Sequence, residues 1–210
     1  MRKSAKTKIA LCLLLSLILI LAGCGARELN DLTIVIGIGL DVNPDDSGGV
    51  LLTAQVVRPD ELKNVSSSSS GSTGQGGQAN VFWNIHATGE TVFDAFRECT
   101  HETHNRLYLP HNQVIVLSKE IAQTGIRRYL DAFLRHNEPR PTTVLLVSSG
   151  KALDTLEVKP ELDKLPAVNL ASLTKTQEFT SQSKSTDIID YTNAMLSKTK
   201  SLVIPIITIV

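Results

Sequence analysis

The stretch TIVIGIGLDV, Thr33 to Val42, is apolar and β-branched and has no helical spacing. It reads as a buried strand, which needs a sheet around it. The flanking sequence supplies one. Asn43 to Gly49 (NPDDSGG) reads as a turn, and Val50 to Arg58 (VLLTAQVVR) as the returning strand of a hairpin that Pro59 ends. Val81 to Thr88 reads as a third strand. From Thr91 to about Leu107 the pattern is helical, with Val92, Phe93, Phe96 and Cys99 on one side. Gln113 to Leu117 (QVIVL) is a short buried strand, and Ser118 is placed to cap the helix after it. Ile126, Tyr129, Leu130, Phe133 and Leu134 make the cleanest amphipathic face, and Pro139 and Pro141 stop that helix. Thr142 to Ser148 is another buried strand, and Lys151 to Val158 a short helix. A polar helix-prone stretch follows Pro166, and Ile188, Tyr191 and Met195 suggest one further helix face. Leu202 to Val210 reads as a last strand, with Pro205 favouring an edge or a bend. The order β-β-β-α-β-α-β-α-α-β predicts an α/β fold with α+β character. A mixed β-sheet carries helices packed on it, and an N-terminal hairpin precedes alternating strands and helices.

Residues 66–77, SSSSSGSTGQGG, are low in complexity. Side chains this small and polar bury too little area to offset the entropy of ordering. A flexible loop at about 60–80 within the domain is the expectation, because the hairpin before it is too small to fold alone. A linker between two domains is the weaker reading.

The N-terminus has a different logic. Residues 1–8 (MRKSAKTK) are basic, Ile9 to Leu21 are almost wholly apolar, and Ala22 and Gly23 are small. A charged head, a short apolar run and small residues before a cut describe a secretory signal. The apolar run, at about 14 residues, makes roughly 21 Å of helix, short of the roughly 30 Å hydrocarbon core that a permanent span crosses. Leu21-Ala22-Gly23-Cys24 is similar to the lipobox of bacterial lipoproteins. On that reading 1–23 are removed after Gly23. Cys24 then becomes the first mature residue, with S-linked diacylglycerol and an N-acyl chain of the palmitate kind. Each buried methylene adds about 0.8 kcal/mol, so several chains anchor stably where one does not.

Charge and cysteines follow from this cut. The whole chain has 21 basic and 21 acidic residues; without the four cations of residues 1–8, 17 face 21 and the mature chain is near −4. An acidic body excludes nucleic acid as the main partner, because phosphate binding needs clustered cations. Cys12 leaves with the signal and Cys24 is capped. Cys99 alone remains, so no disulfide forms within the mature chain.

No stretch carries recognisable catalytic chemistry. HETH, His101 to His104, places its histidines three apart, whereas the zinc-peptidase motif needs four. A metal set of Cys99, His101, His104 and His111 is the sharper reading and a polar helix face the plainer one; the plainer one is adopted, with no metal. Gly37-x-Gly39 lacks the third glycine of a dinucleotide fingerprint, Val42 standing there, so the glycines are read as permitting close packing on the sheet. No G-x-S-x-G occurs. RHNEPRP, Arg135 to Pro141, is read as a solvated helix exit, a binding edge being the alternative. No cofactor and no catalytic residue are expected.

Several stretches together carry a family resemblance. They are Cys24 closely followed by RELNDL (Arg27 to Leu32), IVIGIGLD (Ile34 to Asp41), QVVRP (Gln55 to Pro59), PHNQVIVLSKEIAQTGI (Pro110 to Ile126) and YLDAFLRHNEPRPTTVLLVSSGKALDTL (Tyr129 to Leu156). In order and spacing the chain resembles the Ger(x)C lipoproteins, the C subunits of spore germinant receptors. It departs from them at Gly25 and Ala26, where members often have an aromatic and an acidic residue. The resemblance implies that 24–210 is the family's N-terminal domain and that its C-terminal domains are absent from this chain. It also implies a non-catalytic subunit, lipid-anchored on the outer face of the inner spore membrane, partnered by the bilayer and by the receptor's membrane-embedded A and B subunits. A lipid-anchored solute-binding protein is the alternative, although such proteins usually have two lobes around a cleft.

Overall fold

Why the sheet takes its order is visible in β1, Leu32–Val42, the longest strand. In the computed structural model, which describes Lys8 and residues 32–45, 48–58, 81–103, 105–136, 138–160 and 163–209, β1 is the hub. It pairs antiparallel with β2 (Val50–Val57), as the hairpin reading predicts, and β2 pairs antiparallel with β3 (Phe82–Gly89). On its other side β1 pairs in parallel with β4 (Arg106–Tyr108) along Leu32 to Ile34 and with β5 (Val114–Leu117) along Gly37 to Leu40. β6 (Val144–Ser148) and β7 (Ile206–Ile207) extend the parallel side. The described strands thus run β3-β2-β1-β5-β6-β7, with β4 beside the start of β1. This is the expected mixed sheet.

Helices cover both faces. On the first face lie α1 (Val92–Thr103), α2 (Lys119–Thr124), α3 (Arg127–Arg135) and α6 (Ile188–Leu196). Their buried residues, among them Ala95, Ile121, Leu130, Phe133 and Tyr191, share one core with Ile38, Leu40, Leu52, Ile85 and Leu117 of the strands. On the second face α4 (Ala152–Glu157) and α5 (Pro166–Phe179) bring Ala152, Leu156, Ala167 and Leu170 against Val114, Val116, Val144 and Leu146. The pleat sorts the two sets, because successive side chains point to opposite faces. A bulge at Ile36 shifts the pairing of β1 between Val35 and Gly37. The extra residue reverses the alternation, so Gly37, Gly39 and Asp41 all face α4 and α5.

Those glycines are required by packing, as the spacing suggests. A Cβ on Gly37 would lie 2.5 Å from the Ala167 Cβ, and one on Gly39 would lie 3.1 Å from Leu156 Cδ1 and 3.3 Å from the Ala152 Cβ. Asp41 is buried and accepts hydrogen bonds from the backbone N–H of Ala152 (2.8 Å) and Leu153 (3.0 Å), so it caps α4 from a distant strand. Gln55, fully buried on β2, holds the other end. Its amide nitrogen donates to the Leu156 carbonyl (2.9 Å) and to Asn84 Oδ1 (2.9 Å), and its oxygen accepts from Ala167 N–H (2.9 Å).

Four local readings are corrected. The first helix ends at Thr103, not near Leu107, because Arg106 to Tyr108 complete a ladder row along the start of β1. The helical region after Ser118 is two helices. Ser118 caps α2 by accepting from Ile121 N–H (3.2 Å), but Gly125, at φ +113°, breaks the run before α3. The last strand shrinks to Ile206–Ile207, with Pro205 just before it, as its missing N–H requires. Leu134 and Met195, assigned to apolar faces, are 39% and 42% exposed. The expected loop at about 60–80 lies outside the described residues.

Candidate functional site

The first helix departs from its predicted face in an informative way. Val92, Ala95 and Cys99 are its buried residues. Phe93 is instead 39% exposed and Phe96 only partly buried. Apolar surface left on a helix flank costs free energy unless something covers it. Here the two rings wall a surface cleft of about 260 Å³ between α1, β4 and the end of α3. Phe96 meets Phe133 edge-on at 5.8 Å between ring centroids, and Phe93 meets the His136 ring at the same distance. Leu107, Leu109 and Ala132 complete the apolar lining.

Charged groups stand among the lining residues. Arg106 on β4 pairs with Glu138, whose side chain is only 18% exposed. Arg97 on α1 faces Asp94 at 3.9 Å, a loose pair on the helix surface. His136 accepts at Nδ1 from the Glu138 N–H (3.3 Å), which leaves the ring proton of the neutral imidazole on Nε2. The segment RHNEPRP therefore does more than leave a helix. His136, Glu138 and Pro139 line the cleft and are half-buried, while Arg135 and Arg140 on either side of them are exposed.

The structure does not bring the other sequence candidates together. Cys99 is buried in the core, and burial, with Glu102 adding to it, pushes its thiol up to about 12, so it is unreactive near neutral pH. His101 is exposed at the end of α1, and His111 is exposed in the turn before β5, where its ring lies tilted at 5.7 Å from that of Tyr108. His104 lies outside the described residues, as do Gly23 and Cys24. Among the described residues no group of three or more His, Cys, Asp or Glu side chains is placed to hold a metal ion. No described helix is long and apolar enough to cross a membrane. The cleft itself is the feature that sequence reasoning missed. Its signal was present in Phe93 and Phe96, which are adjacent to the buried stripe but too many for it.

A mixed-sheet α/β domain, with helices on both faces and a mixed apolar and charged cleft, is the class that this geometry defines. The chain belongs to the spore germination protein N-terminal domain family, whose model matches residues 25–209. Among its relatives in Bacillus subtilis (strain 168), spore germination protein YndF is 28% identical over 190 residues, 82% of this chain and 46% of that protein. Spore germination protein KC is 29% identical over 178 residues, 83% of this chain and 41% of that protein. Spore germination protein A3 is 28% identical over 191 residues, 89% and 48% of the two chains. This chain thus spans a little under half the length of the relatives it matches. No solved structure matches it.

Proposed function

We propose that this chain acts in spore germination as a lipid-anchored, non-catalytic subunit of a nutrient germinant receptor. It works on the outer face of the inner spore membrane by contact with the receptor's membrane-embedded A and B subunits. The observation that carries the reading is the family match. It begins at residue 25, directly after the cysteine that the lipobox marks, and runs to 209. The relatives' names supply the process. Acyl chains at Cys24 confine such a body to two dimensions, which raises its effective concentration beside membrane partners.

The test is Cys24→Ala in the native spore. Membrane fractionation is expected to find the variant shifted from membrane to soluble fractions, and nutrient-triggered germination to slow at least several-fold. Germination at the normal rate with the variant fully soluble would overturn the anchored-subunit reading. Mass spectrometry of the native chain is expected to find an acylated N-terminal Cys24.

A further inference from the structure

We propose that the cleft between α1 and α3 is a binding site for a small organic carboxylate with an apolar body. This inference stands on the cleft alone and does not depend on the germination reading. The floor and walls are rings and aliphatic side chains, with Phe93, Phe96 and Phe133 forming an aromatic corner. At about 260 Å³ the space lies just below the roughly 300–1,000 Å³ range of drug-sized ligands, so it suits a smaller body.

The polar lining decides the sign of the ligand. Side chains with N–H donors line the cleft from three elements: Arg97 on α1, Arg106 on β4 and His136 after α3. Against them stands one carboxylate, Glu138, which Arg106 already engages. A guanidinium has five N–H groups in a planar fork, so Arg106 keeps donors after binding Glu138. Among the described residues Arg97 is held by the loose contact with Asp94, an exposed pair that contributes little. A cationic ligand would meet two guanidinium groups, and a neutral one would leave their donors unused. A carboxylate is the group that accepts from two arginines at once, while its apolar body covers Phe93 and Phe96.

The experiment uses fluorine NMR on the full chain in lipid nanodiscs, with 4-fluorophenylalanine at its five Phe positions. Phe93, Phe96 and Phe133 report on the cleft, and Phe179, 90% exposed and not part of its lining, is the internal control. The probes at pH 7 are 3-phenylpropanoate and its uncharged and cationic counterparts, 3-phenylpropanol and 3-phenylpropylamine. The carboxylate is expected to shift the three cleft resonances saturably and leave Phe179 in place, while the alcohol and the amine bind at least tenfold more weakly. Arg97→Gln, at an exposed site that the fold does not need, is expected to raise the Kd for 3-phenylpropanoate at least fivefold. Arg106→Gln is expected to do the same with the Phe179 signal unchanged. Equal binding of the alcohol, indifference to both substitutions, or no saturable shift would overturn the proposal. Tighter binding of the uncharged capped dipeptide acetyl-Phe-Gln-amide than of 3-phenylpropanoate would also overturn it, by assigning the cleft to a neutral protein segment.

Discussion

Gly37 shows how much one missing atom can carry. Its Cβ, if present, would sit 2.5 Å from the Ala167 Cβ, against a helix start that Gln55 fixes. Gly37→Ala is expected to lower stability by about 1–3 kcal/mol through overpacking. Gly150→Ala, where a Cβ meets nothing within 4 Å, is expected to leave the urea midpoint nearly unchanged. Asp41 is the second residue whose chemistry reaches beyond its strand. Burial raises its carboxyl above the ordinary 3.8, and the two backbone N–H groups of α4 pull it only part of the way back. The folded chain then holds a proton that the unfolded chain has lost. Stability from Asp41 is therefore full below 3.8 and is lost as pH rises through the raised value. Melting curves across that window are expected to show this decline in the parent chain and not in Asp41→Asn. Neither role is written beside the residue, because the partners Ala167 and Ala152 are more than a hundred positions away.

At the scale of elements, α4 is the clearest case of a helix made by its surroundings. Six residues are too few to hold a helix in water. Asp41 takes two N–H groups at its start, and Gln55 donates to the Leu156 carbonyl near its end. Gln55→Leu would leave the Ala167 N–H buried without its partner and the Leu156 carbonyl with the longer bond from Asn84 Nδ2 (3.3 Å), at about 1–3 kcal/mol in all. Amide exchange is expected to quicken in α4 and α5 while β1 and β2 keep their protection; uniform quickening would argue against a local clasp. Strong strands were legible from composition, since β5 and β6 are wholly buried and β1 and β2 are buried through their middles. Weaker boundaries were not. The break at Gly125 needs a positive φ that the amphipathic pattern around it conceals, and β4 exists only because β1 offers it a ladder.

For the whole molecule, register limits what the low-complexity stretch can be needed for. Val57 pairs with Phe82, and Arg58 N–H donates to the Val81 carbonyl at 2.9 Å, so the two strand ends are already neighbours. A two-residue Asn-Gly turn replacing residues 60–79 is expected to keep the fold. It should add about 1–2 kcal/mol, because closing a shorter loop costs less entropy. Unfolding of that variant, followed by circular dichroism, would show that the segment packs on the domain. The sequence by itself determined the strong strands, the hairpin, most helices and the family, because these follow from local periodicity, turn chemistry and the spacing of short motifs. It determined equally the expectation of a lipid anchor, carried by four adjacent residues. Only the tertiary structure decided that Phe93 and Phe96 face a cleft, that Arg106 meets Glu138 there, and that Asp41 and Gln55 hold α4. Each of these joins residues from separate elements, and chain folding, not sequence adjacency, sets the distances between them.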